Sequence, residues 1–182
     1  MDGRHNGGEM AGEIHELDAL RLLQEEVASL AARVHELEAV QAVRDTLLDY
    51  TLYHDRGWSR QLAELFTEDA VLDIAGYGPG LDTSISGRAA IREMYAQLDA
   101  RSDGPPPYKH GITNLRIEVS GDEAVASSYL LDWGGQATDE GPGGGMYRER
   151  LARQADGRWL IKHKRIVSTA RLTVDAVLAD DV

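Results

Sequence analysis

Leu20, Leu23, Val27, Leu30, Val34 and Leu37 recur at alternating intervals of three and four residues, the spacing of one continuous apolar face on an α-helix. The stripe reads on through Val43, Leu47, Tyr50 and His54, which predicts a helix running to about Arg56 with Gly57 as its stop. Valine and leucine in alternate seam positions allow a parallel two-stranded coiled coil. Fewer than three heptads are present, however, and the flanking Gln24, Glu26, Ala31 and Arg33 set no pairing code. The expectation is therefore a helical arm over residues 13–40 that self-associates, as a coiled coil or as an amphipathic helix on its own domain or a neighbour. Residues 1–12, glycine-rich and without apolar rhythm, are expected to be disordered.

Beyond Gly57 the rhythm changes. Ser59 caps a short helix to Phe66, Ala70 to Ile74 reads as a strand, and a glycine-rich link from Gly76 to Gly80 leads to Ser86-Gly87. Arg88 to Leu98 then places Ile91, Met94, Tyr95 and Leu98 on one helix face, before the breaker Asp103 to Pro107. Tyr108–Val119, Ala124–Gly135, Gly145–Gln154 and Trp159–Leu172 are strand-length runs joined by turn residues, with Gly141 to Gly145 read as a flexible hairpin end. Helices first and a meander afterwards predict an α+β fold, a curved antiparallel sheet wrapped around the N-terminal helices. The domain is expected over 41–172, with a tail from 173 to 182, and the ligand pocket at the open end of the sheet.

The 182 residues allow one domain with a sizeable core, and the absence of cysteine removes disulfides, thiolate ligands and cysteine nucleophiles. A formal net charge of −12 argues against nucleic acid or an anionic membrane as partner, because either requires a basic face. No run approaches a membrane span and the N-terminus is not signal-like, so a cytoplasmic protein is expected.

Polar groups set in apolar faces carry the candidate chemistry, because burying them costs free energy unless they are paired. They are Tyr50, His54, Asp55, His110, Asp132, His163 and Arg165. By strict alternation Ser128, Leu130 and Asp132 share one strand face and Tyr129, Leu131 and Trp133 the other, while His163 and Arg165 share a face with Trp159, Ile161 and Val167. A histidine whose second nitrogen is held by a carboxylate is a competent acid-base pair near neutrality, and Asp55 with His110 is a candidate for one. No spacing reads as a metal site, no glycine loop completes a nucleotide-binding motif, and no serine occupies a nucleophile elbow, so no metal and no cofactor are expected.

Tyr50 to Trp58, Leu65 to Ala70, Ser86-Gly87-Arg88, His110 with Thr113 to Arg116, and Gly157-Arg158-Trp159 resemble the SnoaL-like branch of the nuclear-transport-factor-2-like superfamily over roughly residues 36–172. The resemblance is strongest to its dehydratase-type members, of the scytalone dehydratase, bile acid 7α-dehydratase and hexachlorocyclohexane dehydrochlorinase kinds. It implies a cone-shaped α+β barrel and a catalytic His-Asp dyad at His110 and Asp55. It also implies that Tyr50 and Asp132 bind or protonate a departing oxygen and that Arg165 serves the pocket. Tyr53, Trp58, Tyr129, Trp133 and His163 complete the expected substrate contacts, Tyr129 standing where scytalone dehydratase carries a second strand histidine.

The resulting expectation is a cofactor-independent lyase acting on an apolar or polycyclic small molecule, assembled as a homo-oligomer, a dimer or a trimer. A polyketide or terpenoid cyclase or isomerase using the same dyad is the alternative, and a non-catalytic binding module the third. One conflict stands: strict alternation puts His110 on the face of Asn114, Arg116 and Glu118 rather than that of Leu115, Ile117 and Val119. A bulge near Gly111 would remove it.

Overall fold

The computed structural model describes residues 6–80, 82–101, 109–133 and 143–168. The chain divides into two units, Met1–Ala39 and Val40–Val182. Among the described residues the first holds the N-terminal part of α1 (Asn6–Arg56) and no other element. That helix begins inside the stretch 1–12 expected to be disordered, because extending a formed helix costs little even through weak helix formers. Residues 1–5 and the tail 173–182 lie outside the described residues.

Among the described residues the second unit holds the rest of α1, two further helices and a six-stranded sheet. The helices are α2 (Ser59–Ala63) and α3 (Arg88–Asp99); the strands are β1 (Phe66–Ala75), β2 (Thr83–Ser86), β3 (Lys109–Ser120), β4 (Glu123–Trp133), β5 (Gly143–Arg153) and β6 (Trp159–Ser168). The sheet is curved and unclosed, in the order β2-β1-β6-β5-β4-β3. The α+β class agrees with the sequence reading; the purely antiparallel sheet does not. β1 lies parallel to β6, since it enters from the helical half of the chain and joins the far edge of the meander. β2 lies between the expected glycine link and Ser86-Gly87, in a stretch for which no element was expected, and it pairs with β1 through Val71 to Ile74.

The core explains why α1 stays on the sheet. Val43, Leu47 and Tyr50 are buried against Phe66, Leu72, Ile91, Tyr95, Tyr147, Leu151, Ile161 and Ile166. Thr46 adds a hydroxyl bond to the Trp159 carbonyl at 2.9 Å. Leu20, Leu23, Val27, Leu30, Val34 and Leu37, by contrast, are all exposed. Leu37, Val40 and Val43 follow in two successive steps of three, which turn the apolar face around the helix, so it carries two apolar stripes rather than the single one expected.

Two β-bulges decide which side chains face the core. In β3 the register with β4 slips between Thr113 and Arg116, where Asn114 takes a left-handed φ of 53°. His110 and Ile112 before the slip, and Ile117 and Val119 after it, therefore oppose Asp132, Leu130, Ala126 and Ala124 on one face. The conflict over His110 is resolved by a bulge at Asn114, three residues beyond the expected Gly111. In β6 the register with β5 slips so that Lys162 has no partner. Past it Lys164, Ile166 and Ser168 are buried, and His163, Arg165 and Val167 turn to the opposite face.

Candidate active site

The last turn of α1 is fixed by its own backbone. Gly57 adopts φ 68°, its N–H donates to the His54 carbonyl at 3.1 Å, and the Trp58 N–H donates to the Tyr53 carbonyl at 2.9 Å. These paired bonds are the glycine-terminated helix stop. Asp55 sits in that turn, where the negative end of the helix dipole disfavours a carboxylate. His110 offsets the cost: its backbone N–H donates to both Asp55 oxygens at 3.2 and 3.1 Å, and its Nδ1 lies 2.6 Å from Oδ1.

The other side of the same imidazole meets a second carboxylate. His110 and Asp132 are register partners of β3 and β4, and Nε2 lies 3.4 Å from Oδ1 of Asp132. That oxygen is buried and accepts no hydrogen bond within the described residues. Burial raises the Asp132 pKa above the ordinary carboxylate value; the Asp55 charge raises it further, and His110 pulls against both. Side-chain exposure is 9% for His110, 14% for Asp55 and 29% for Asp132, so the group is sheltered yet reachable from the Asp132 side. With Nδ1–H donated to Asp55, the Nε2 lone pair is left to act as a base beside an acid.

Behind this pair lies a layer of rings. His54 packs edge-on to His110 with centroids 4.5 Å apart and to Tyr95 at 5.2 Å. Burial, then the neighbouring His110, push its pKa down to about 3, so it remains neutral at physiological pH and acts as packing rather than as a second base. His54, Asp55 and His110 bring donor atoms within 4.8 Å of one another. The 2.6 Å separation of Nδ1 and Oδ1 is nevertheless a hydrogen-bond distance, shorter than the roughly 3 Å between two ligands of one ion. The arrangement is a hydrogen-bonded histidine–carboxylate pair with a third ring packed against it.

Tyr50 lies deeper than its expected role requires. Only 1% exposed, it shares a 2.5 Å hydrogen bond between hydroxyls with Tyr95, and burial holds its pKa well above the usual phenol value. Beneath it Lys164 forms a 2.5 Å ion pair with Glu149, its Nζ set 3.5 Å from the Tyr147 ring centroid and 4.0 Å from that of Tyr50.

The neutral His54 has a consequence for stability. The unfolded chain binds a proton there below about pH 6.5 and the folded chain does so only near 3, so folding weakens as pH falls through that window. His54→Phe should remove this slope of about 1.4 kcal/mol per pH unit. Urea unfolding at pH 6.5 and 5 should then show the native chain losing about 2 kcal/mol more than the variant. Equal losses would mean that His54 is not held neutral.

Among the remaining expected contacts, Tyr129, His163 and Arg165 emerge on the sheet face opposite His110. Tyr53 and Trp58 stack on each other at the helix end with centroids 5.8 Å apart, Arg56 lying over Trp58. Tyr129 is 48% exposed on the face of β4 opposite Asp132. The Trp133 side chain lies outside the described residues. His163 Nε2 pairs with Asp73 at 2.7 Å while its Nδ1 faces Arg150 at 3.3 Å, and Arg165 is in register with Asp73 and Arg148. The bulge at Lys162 turned both His163 and Arg165 away from the core face. The sequence reading passed over Tyr95, Tyr147, Glu149 and Lys164, of which only Tyr95 carried a signal, its place on the buried stripe of α3.

The SnoaL-like domain family matches residues 35–165. No curated protein matches the chain. Among solved structures, an NTF2-like protein of cystatin-like fold from Novosphingobium aromaticivorans is 22% identical, over 84% of this chain and 96% of its own, at a TM-score of 0.66. A function-unknown protein from Mycobacterium tuberculosis is 29% identical over 80% of this chain and 79% of its own, at 0.62. A Catenulispora acidiphila protein, solved in complex with S-DNPA, is 24% identical over 72% and 94%, at 0.58.

Proposed function

We propose that this chain, which belongs to the SnoaL-like domain family, is a small-molecule lyase that eliminates water, or another leaving group, β to an acidified C–H. The observation that carries the reading is the placing of His110 between two carboxylates, Nδ1 hydrogen-bonded to Asp55 and Nε2 3.4 Å from Asp132. Asp55 keeps the proton on Nδ1 and stabilises the imidazolium that forms. Nε2 removes the proton from the substrate carbon, the C–H electrons form the double bond, and the C–O bond breaks. Asp132, whose raised pKa favours a carboxylic acid, supplies the proton to the departing oxygen. The proton now on Nε2 then returns to Asp132 across 3.4 Å, and the pair is reset without any external reagent.

Tyr50 enters this scheme through its ring rather than its hydroxyl, since that hydroxyl is bound to Tyr95. It supports His54, which in turn supports His110. A small-molecule ligand accords with the liganded Catenulispora structure of the same fold and with the strongly acidic net charge. Among the described residues no helix is long and apolar enough to cross a membrane.

Incubation with β-hydroxy carbonyl compounds of graded size should give a product lighter by one water. Asp132→Asn should slow that loss by roughly 10²-fold or more. The same variant should be much less impaired on analogues whose leaving group is chloride, which needs no proton. Ring closure at unchanged mass would replace the lyase by the cyclase, and equal impairment on both leaving groups would remove Asp132 as the acid.

A further inference from the structure

We propose that the N-terminal helix is a dimerisation element, and that its occupant is the same helix of a second copy, parallel and in register. Among the described residues, unit Met1–Ala39 holds only α1 and no second element on which to bury an apolar stripe. Leu20, Leu23, Val27, Leu30, Val34 and Leu37 stand between 49% and 68% exposed over eighteen residues, about 27 Å of helix. They form a stripe distinct from the Val43, Leu47 and Tyr50 stripe that the second unit buries.

The identity of the seam residues selects the partner. With Leu20, Val27 and Val34 at position a and Leu23, Leu30 and Leu37 at d, β-branched residues predominate at a and leucine fills d, the combination that favours two parallel strands. Glu26 meets the neutral Ala31, but one flanking pair does agree with the register. Arg33 falls at g and Glu38 at the following e, so in a parallel dimer each Arg33 faces Glu38 of the second copy, twice by symmetry. The helix's own ion pair, Arg21 with Glu25 at 3.7 Å, falls at b and f and leaves the seam clear. Gln41 and Arg44 at the next a and d positions end it.

The 182-residue chain, 20.0 kDa as a monomer, should run at twice that mass by light scattering. Val27→Glu with Val34→Glu should return it to the monomer mass while the unfolding midpoint of the second unit stays in place. Because the chain has no cysteine, Leu37→Cys tests the register: parallel helices bring the two thiols together and should oxidise to a covalent dimer. Arg33→Glu or Glu38→Arg alone should weaken the dimer at least several-fold, and the two together should restore it. A native chain of monomer or trimer mass overturns the proposal. So does a dimer indifferent to the seam charges, which would place the interface elsewhere, or a Leu37→Cys chain that will not cross-link.

Discussion

His110→Ala should lower kcat/KM by about 10³-fold or more while changing folding stability by no more than about 1–2 kcal/mol. The two effects separate because Asp55 keeps the His110 backbone N–H bonds after the imidazole is gone, whereas no neighbour can take over as base. His54 is nearest, and its pKa near 3 makes it too weak. Asp55→Asn should be comparably inactive for a different reason. An amide can donate to Nδ1, which moves the histidine proton to Nε2 and removes the lone pair that attacks the substrate. It should not destabilise the helix end, since it removes a negative charge from the unfavourable end of the dipole. The double variant should be little worse than either single one, as expected for residues acting as a unit. His163→Ala is the control: it has a carboxylate partner of its own in Asp73, but on the other face of the sheet. Its kcat/KM should stay within about threefold of the native value. Full turnover by His110→Ala, or a collapse in His163→Ala, would move the chemistry off this dyad.

The fold was largely legible because its periods are clean. Apolar steps of three and four give α1 and α3, and alternation gives the four strands from Lys109 onward. What alternation could not deliver was the side of the sheet on which a residue emerges once a strand bulges, because one extra residue reverses every position after it. At Asn114 the bulge aligned His110 with Ile117 and Val119, so the dyad reading met no conflict in the structure. At Lys162 the bulge turned Arg165 and His163 away and brought in Lys164, a residue that sequence reasoning assigns to solvent by default. Asp55 was a candidate from its place two residues before a stopping glycine, and its pairing with His110 was implied by the resemblance. Asp132 was assigned a role by resemblance, while its raised pKa and its position opposite His110 depend on pairing across two strands.

Lys164 and Glu149 should show the largest stability effect in the molecule, and its direction depends on whether one or both are replaced. Each side chain is 1% exposed, and the second Glu149 oxygen is buried without a hydrogen bond. Burial pushes the lysine pKa down and the glutamate pKa up, and each partner opposes the other's shift. The pair is therefore held together by mutual neutralisation and by the faces of Tyr50 and Tyr147 around the ammonium, not by any intrinsic gain from burying charge. Lys164→Met leaves an uncompensated carboxylate and Glu149→Gln an uncompensated ammonium, so each should cost about 3–5 kcal/mol in urea unfolding. Lys164→Met with Glu149→Leu removes both charges at similar volume and should recover to within about 1 kcal/mol of the native chain, or exceed it. Such non-additivity is the signature of direct coupling between the two sites. Additive losses would mean that the side chains contribute through packing alone. The pair also bears on the acid-base site, because Lys164 lies under the ring of Tyr50, Tyr50 packs on His54, and His54 packs on His110. A recovered double variant that nonetheless turns over slowly would show that the buried pair sets the seating of α1, and with it the reach of Asp55, rather than the stability of the fold.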